Sequence, residues 1–346
     1  MRRCGRVWLL AVPFAVLVSA VGFELVLQAY TLVLRRDWEK IKAEPNHLFR
    51  ASDNPVLAYE HKTNYALGGA RQRVVLNEHG IRDSGTVSPA GRWKVVMAGD
   101  SLAFGQNVDQ KEIFTELMQE DFDRQGGRVK VLNFGVGGYD VADVAEFVRV
   151  KDMVYQADAF VYVMSLTDFA RKNTVYEGAD NGLFRMYRLP WLKTPMFVRK
   201  AIYRWKKQGR LSSPGWYRWL VDGNGNQAWW MQKVRLMRDN ANEHGKPFAV
   251  VIMPAGCAYE NGRYVLQDLH DRLATGLKQE GINVVDLAPT FLARPAEWLD
   301  GTDHLTPDGH RVLAQTLSPL VVKWHHTASQ PTEKAPVQSL GPSAAR

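Results

Sequence analysis

Short apolar runs alternate with segments of helical periodicity along most of the chain. Strand-like runs begin near residues 94, 129, 159, 248 and 283. Apolar positions recur at helical spacing in residues 109–125, 140–153, 226–243, 264–279 and 307–322. This alternation predicts an α/β fold in which about five parallel strands are covered by helices on both faces. The strand near residue 94 is continuously apolar, which is typical of a strand buried on both faces.

The first 36 residues follow a different pattern. Three arginines precede an uncharged run from Val7 to Phe23, and apolar residues resume after Glu24 and continue to Leu34. A spanning helix needs about 20 mostly apolar residues, a length reached here only if Glu24 lies near an interface or faces a partner. The basic start predicts a single-pass membrane anchor with a cytoplasmic N-terminus and an extracytoplasmic main domain. The alternative is a signal peptide cleaved near Val18–Ala20.

The remaining segments divide the chain further. Residues 37–72 are mixed in character and are predicted to form a neck or covering segment, and residues 73–326 carry the main domain. Residues 175–225 are rich in Trp, Tyr, Arg and Lys without a clear strand. They predict a helical insertion whose aromatic residues pack on the main domain, or a lid that contacts membrane or glycan. Residues 327–346, rich in Pro, Ser and Ala, predict a disordered tail.

Composition narrows the possible functions. The chain has 346 residues and a formal net charge of +8, but no zinc-finger, basic-zipper or RNA-binding signature, so no nucleic-acid partner is predicted. Its two cysteines, Cys4 and Cys257, exclude a disulfide scaffold and disfavour a cysteine-rich zinc site. The glycines of residues 135–138 lack the spacing of a dinucleotide fingerprint. No cofactor or metal is therefore predicted.

Polar residues and glycines follow three of the predicted strands and precede the last helix, in the segments Gly99–Ser101, Gly135–Gly138, Thr167–Asp168 and Asp300–His310. Parallel strands bring their carboxyl ends to one edge of a sheet. Ser101 is placed there either as a nucleophile or as the N-cap of the next helix. A hydroxyl nucleophile needs a base and an orienting acid, for which His304 and Asp300 or Asp303 are the candidates.

Two further roles follow from this arrangement. The backbone N–H groups of Ser101 and Gly138 are the candidate oxyanion donors, and the side chain of Thr167 is a third. Asp300 is preferred as the acid because residues four apart meet across one helical turn, whereas neighbours in an extended loop point apart. Asp168 and Arg82 are candidate substrate contacts, and a turn packed beneath the serine loop is an equal alternative for Arg82.

The four segments in this order resemble the SGNH/GDSL hydrolase superfamily. The resemblance covers roughly residues 73–322 apart from the aromatic insertion, and residues 77–83 resemble a prelude found in membrane-anchored bacterial members. It implies a three-layer, flavodoxin-like fold with Ser101 as nucleophile and Gly138 as the oxyanion glycine. Two positions depart from the family pattern. Thr167 stands where the third block normally has Asn, and Asp300 lies four residues before His304 instead of three.

Together these features predict a membrane-anchored, extracytoplasmic serine esterase acting on O-acyl esters of a glycan or lipid, with O-acetyl groups favoured. Two alternatives remain open. The first is an O-acyltransferase that passes the acyl group to a polysaccharide, since the same acyl-enzyme serves both reactions. The second is a non-catalytic glycan-binding or assembly protein that retains the fold, a reading motivated by the altered third block.

Overall fold

The structure is a computed structural model of the chain. The structure describes residues 4–43, 48–57, 59–68, 73–83, 91–170, 191–195, 197–198, 213–223, 225–300 and 303–330. The predicted tail beyond Gln330 and most of the predicted aromatic insertion lie outside these residues.

A five-stranded parallel sheet organises the main domain. Its strands are β5 (Trp93–Gly99), β6 (Val129–Gly135), β7 (Ala159–Met164), β8 (Phe248–Ile252) and β11 (Asn283–Asp286). Their order across the sheet is β11-β8-β7-β5-β6, and every neighbouring pair is parallel. β5 lies between β6 and β7, and therefore Ser101 lies directly beyond the carboxyl end of an interior strand, one strand from the β6 edge of the sheet.

Helices cover both faces of this sheet. One layer contains α4 (Val141–Tyr155), α5 (Pro214–Asp222), α6 (Asn226–Glu243) and α7 (Gln267–Gln279). The other contains α2 (Ser101–Phe104), α3 (Phe114–Arg124), α8 (Ala288–Phe291), α9 (Pro295–Trp298) and α10 (Pro307–Ser329). Successive β5 residues alternate between the two layers: Val96 and Ala98 belong to one apolar core, and Val95 and Met97 to the other. These burials establish the three-layer α/β fold predicted from the sequence.

Side-chain caps explain where the major helices begin. The carboxylate of Asp140 accepts hydrogen bonds from the N–H groups of Ala142 (2.9 Å) and Asp143 (3.2 Å), and so starts α4. The hydroxyl of Thr306 accepts the N–H of Gly309 at 3.1 Å, with Pro307 at the first helical position of α10. Both caps satisfy N–H groups that a helix leaves without internal partners.

The N-terminal segment is a single helix, α1 (Cys4–Ala43). Within it, Ala11–Val33 is long and apolar enough to cross a membrane and is almost entirely exposed. By length and composition this stretch fits a membrane anchor or a signal sequence. Glu24, the charged residue of this stretch, accepts hydrogen bonds from the N–H groups of Lys193 and Thr194, each at 2.7 Å.

Short strands follow α1. β1 (Phe49–Ala51) pairs with β2 (Tyr59–His61), and β3 (Tyr65–Gly68) pairs with β4 (Arg73–Leu76), both in antiparallel fashion. A further small hairpin joins β9 (Tyr259–Glu260) and β10 (Arg263–Tyr264). β4, which begins at Arg73, therefore lies outside the main sheet.

Candidate active site

Ser101 lies at the first turn after β5, an interior strand of the sheet. β5 ends at Gly99, where an added Cβ would lie 2.4 Å from the carbonyl oxygen of Val163 in the neighbouring strand. The carboxylate of Asp100 then accepts the N–H of Leu102 at 2.8 Å and so caps α2. The helix cap is thus Asp100, one residue before the predicted alternative, and Ser101 is left half-buried with its hydroxyl available for another partner.

His304 approaches Ser101 from a loop that precedes α10. Its Nε2 atom lies 2.9 Å from Ser101 Oγ. The loop is closed by an isolated antiparallel bridge between Leu299 and Leu305. Inside the bridge, the N–H of Asp300 donates to the carbonyl of His304 at 2.7 Å, and the N–H of His304 donates to Asp300 Oδ1 at 2.9 Å. Asp300 therefore holds the backbone of the residue whose imidazole contacts Ser101.

Asp303 is directed toward a different part of the molecule. Its backbone has a φ of 70°, a left-handed conformation uncommon for residues other than glycine. Its carboxylate accepts the hydroxyl of Tyr217 at 2.5 Å and the N–H of Cys257 at 3.2 Å. Burial and then this carboxylate raise the pKa of the Cys257 thiol to about 12 and also raise the pKa of Tyr217. Asp303 thus joins the His304 loop to α5, a contact that the sequence did not predict.

The glycine-rich turn after β6 lies against the Ser101 helix. An added Cβ at Gly135 would lie 2.1 Å from the backbone nitrogen of Phe104, so only glycine permits this approach. An added Cβ at Gly137 would lie 3.9 Å from the Cβ of Ser101. Gly138 follows with a φ of 77°. The turn that carries the predicted oxyanion glycine is therefore adjacent to Ser101.

Asn133 holds this turn in place from within β6. Its amide Nδ2 donates to the carbonyl of Ala103 at 2.9 Å and to the hydroxyl of Thr115 at 3.1 Å. Its Oδ1 accepts the N–H of Gly135 at 2.9 Å. One buried side chain therefore links the end of β6 with α2 and α3.

Thr167 and Asp168 lie in a short 3-10 turn after β7. The hydroxyl of Thr167 lies 2.7 Å from Ser165 Oγ and donates to Asp100 Oδ2 at 3.4 Å. The carboxylate of Asp168 is buried and accepts the hydroxyl of Tyr162 at 2.6 Å. Burial, and then the nearby Asp100 carboxylate, raise the pKa of Asp168 well above its ordinary value. Thr167 thus lies beside the residue that precedes Ser101, whereas Asp168 is enclosed by protein.

Arg82 is also enclosed, with 1% of its surface exposed. Its guanidinium donates to the side chain of Gln110 and to four backbone carbonyls, those of Arg73, Phe104, Gly105 and Val108. Burial lowers its pKa to about 10. Arg82 therefore braces the loop that follows α2. This agrees with the alternative prediction for Arg82, a turn packed beneath the serine loop. The burial of Arg82 and of Asp168 argues against the predicted contacts with substrate.

Comparison with known proteins supports the family resemblance that the four segments carry. Residues 97–312, more than half of the chain, match the sequence model of the GDSL-like lipase/acylhydrolase family. Among curated proteins, none matches the chain.

Several solved structures are similar to the chain at low identity. The esterase EstA from Pseudoalteromonas sp. is 10% identical, covers 67% of this chain and 98% of its own, and has a TM-score of 0.42. A lipolytic protein of the G-D-S-L family from Veillonella parvula DSM 2008 is 13% identical, with coverages of 67% and 99% and a TM-score of 0.41. Axe2, an acetylxylan esterase from Geobacillus stearothermophilus, is 14% identical, with coverages of 67% and 94% and a TM-score of 0.41. The family match to residues 97–312 shows that the chain belongs to the GDSL-like lipase/acylhydrolase family, enzymes that act on ester bonds.

Proposed function

We propose that this protein is a membrane-anchored serine esterase that removes acyl groups, acetyl above all, from a glycan or a lipid. The observation that carries the proposal is the 2.9 Å contact between Ser101 Oγ and His304 Nε2. A serine hydroxyl is a weak nucleophile, and an imidazole nitrogen within hydrogen-bond distance can take its proton as the hydroxyl attacks.

The proposed reaction has two halves. Ser101 Oγ attacks the ester carbonyl while its proton passes to His304 Nε2, and the alcohol then leaves with that proton. Water next attacks the acyl-serine, again losing a proton to His304, and the acid is released as Ser101 regains its proton. In both halves the negative charge on the carbonyl oxygen is stabilised by the N–H groups of Ser101 and Gly138. The Thr167 hydroxyl becomes a third donor when it turns from Asp100 Oδ2 to this oxygen.

Asp300 is the proposed orienting acid. Its carboxylate already accepts the backbone N–H of His304, which keeps it within the same small loop as the imidazole. Both oxygens of Asp303 accept hydrogen bonds from Tyr217 and Cys257, so this carboxylate is engaged elsewhere. An acid near His304 keeps the imidazole in the useful tautomer and stabilises its charged form during proton transfer.

Membrane anchoring and an extracytoplasmic main domain are part of the same proposal. The support is the exposed apolar stretch Ala11–Val33 of α1, preceded by Arg2, Arg3 and Arg6 in the sequence. Positive residues favour the cytoplasmic side of a spanning helix. The main domain then acts on the periplasmic side or at the cell surface.

The test compares the full-length protein with Ser101→Ala, both purified in a detergent without ester bonds and incubated with p-nitrophenyl acetate. Ser318→Ala is the matched control, because within the part of the chain that the structure describes its hydroxyl bonds only to the backbone of α10, at the carbonyl of Ala314. We expect Ser101→Ala to lose about 10³-fold or more in kcat, while Ser318→Ala keeps the wild-type rate. Equal rates for wild type and Ser101→Ala would contradict the proposal.

The substrate is tested separately. p-Nitrophenyl esters of increasing chain length distinguish an acetyl esterase from a lipid esterase, and acetate release from an acetylated polysaccharide tests the glycan directly. Adding an unacetylated oligosaccharide and analysing it by mass spectrometry detects transfer. Acetylated oligosaccharide that forms faster than free acetate would replace hydrolysis by O-acyl transfer as the function.

A further inference from the structure

The segment between α1 and the main domain packs on the glycine turn beside Ser101. Tyr59, the first residue of β2, and Leu57, two positions before it, belong to the same buried apolar core as Val136 and Tyr139. An added Cβ at Gly137 would lie 3.8 Å from Cζ of Phe49. The family model matches residues 97–312. The covering segment lies before this range and nevertheless reaches the candidate active site.

Two hydrogen bonds join Tyr59 to the turn in both directions. The hydroxyl of Tyr59 donates to the carbonyl oxygen of Gly137 at 2.7 Å, and both groups are buried. The hydroxyl of Tyr139, which follows the turn, donates to the carbonyl of Tyr59 at 2.5 Å. The two rings lie 5.3 Å apart and brace each other. Tyr59 is therefore held in place by the turn that it contacts.

The bonded carbonyl belongs to the peptide unit that also contains the Gly138 N–H. A peptide unit is planar and almost always trans, so fixing the direction of its C=O fixes the opposite direction of its N–H. The flanking residues are both glycines, and glycine permits many more backbone conformations than other residues. The turn is closed by the N–H of Tyr139, which donates to the carbonyl of Val136 at 3.1 Å, but type I and type II turns closed by such a bond differ in the direction of the central peptide. A contact to the Gly137 carbonyl therefore favours one direction of this peptide plane.

We infer that Tyr59 is a positioning residue, which orients the Gly138 N–H toward the oxyanion by holding the carbonyl of Gly137. The inference rests on the proposed function, in which Gly138 stabilises the charged carbonyl oxygen. Oxyanion donors are effective because they are aimed before the charge develops and need no reorganisation at that moment. The Tyr59 hydroxyl fixes the orientation of this donor, although Tyr59 lies outside the four segments that carry the family resemblance.

The test is Tyr59→Phe in the full-length protein, which removes one hydroxyl and keeps the ring. Tyr155→Phe is the matched control, because this buried hydroxyl accepts a hydrogen bond from Asn77 and belongs to the last residue of α4. Loss of one oxyanion donor lowers rates by about 10²–10³-fold, and loosening it should do less, so we expect about a tenfold fall in kcat for Tyr59→Phe. KM should change little, and Tyr155→Phe should keep the wild-type kcat.

A second readout separates orientation of the donor from general support of the fold. A trifluoromethyl ketone forms a tetrahedral adduct with the serine and places a negative oxygen at the same donors. Its affinity should fall in Tyr59→Phe by about the same factor as kcat, since transition-state mimics report transition-state contacts. Wild-type kcat and wild-type inhibitor affinity in Tyr59→Phe would overturn the inference.

Tyr139→Phe provides an independent variant if Tyr59→Phe does not fold. It removes the hydroxyl that donates to the backbone carbonyl of Tyr59 and so loosens Tyr59. A fall in kcat at unchanged KM supports the inference, and an unchanged kcat contradicts it. Failure of the proposed function has a different signature, in which wild type itself does not hydrolyse esters or Ser101→Ala is as active as wild type.

Discussion

His304 Nε2 lies 2.9 Å from Ser101 Oγ, although 203 positions separate the two residues in the sequence. The contact depends on two local structures. Asp100 caps the short helix that starts at Ser101, and the bridge between Leu299 and Leu305 closes the loop that carries His304. Because each structure is held independently, the two side chains are brought together before any substrate binds, which is what efficient nucleophilic catalysis requires.

The roles of the two aspartates predict different effects for equivalent changes. Asp300→Asn keeps an oxygen that can accept the His304 N–H but removes the charge, and we expect kcat to fall on the order of 10³-fold. Asp303→Asn leaves one oxygen for two donors, Tyr217 and Cys257, so we expect a loss of about 1–2 kcal/mol in the free energy of unfolding and a smaller fall in kcat. Steady-state kinetics and urea unfolding measure both. A larger kcat loss in Asp303→Asn would reverse the assignment.

Replacing Thr167 by Asn is expected to raise activity. An amide reaches farther than a hydroxyl, and one well-placed oxyanion donor is worth up to about 10²–10³-fold, so we expect Thr167→Asn to raise kcat roughly threefold or more. Thr167→Val keeps the shape without the hydroxyl and should lower kcat. Kinetics with p-nitrophenyl acetate compare the two variants with wild type. If neither variant changes kcat, residue 167 does not contact the oxyanion.

Replacing Arg82 by Lys is expected to lower the stability of the fold. Arg82→Lys replaces the five donor N–H groups of a planar fork by a single ammonium, and leaves buried carbonyl groups without partners. We expect the free energy of unfolding to fall by about 3 kcal/mol, measured by urea denaturation. Arg149→Lys is the control, because the exposed Arg149 pairs with Glu146 at the surface and the same change there should cost less than about 1 kcal/mol. Similar losses in both variants would contradict the bracing role.

The buried His310 is expected to make the stability of the fold depend on pH. Its Nδ1 accepts the N–H of Phe114 at 3.3 Å, and burial lowers the pKa of its imidazole from 6.5 to about 3. Between these values the unfolded chain binds a proton that the folded protein does not, so stability falls as the pH falls, by at most about 1.4 kcal/mol per pH unit from this group. Burial lowers the pKa of His61 to about 3 as well, which adds to the slope in the same direction.

His310→Asn tests this contribution, because the Asn oxygen can accept the same N–H but does not titrate. The variant should be less stable than wild type near neutral pH and lose less stability on acidification. Urea unfolding at several values from about pH 7 to about pH 4 measures the slope for wild type, for His310→Asn and for the exposed His244→Asn as control. Equal slopes for wild type and His310→Asn would show that His310 is not the source.

Local patterning predicted the architecture well. The five strands begin at residues 93, 129, 159, 248 and 283, each within one position of the predicted start. α6 spans residues 226–243 as predicted, and the closing helix begins at Pro307 but continues to Ser329 instead of ending near residue 322. Buried strands and amphipathic helices are set by the period of their own apolar residues, which a sequence displays directly.

The contacts of each polar side chain depend on the folded chain. Strand patterning already predicts that Ser101, Gly138, Thr167 and His304 lie on one edge of the sheet, since parallel topology gathers the ends of strands. It could not show that Arg82 and Asp168 are buried, that Asp303 bonds to Tyr217, or that Tyr59 holds Gly137. These contacts join segments far apart in the chain, and the free energy of each depends on packing and burial at the final site, which no local pattern records.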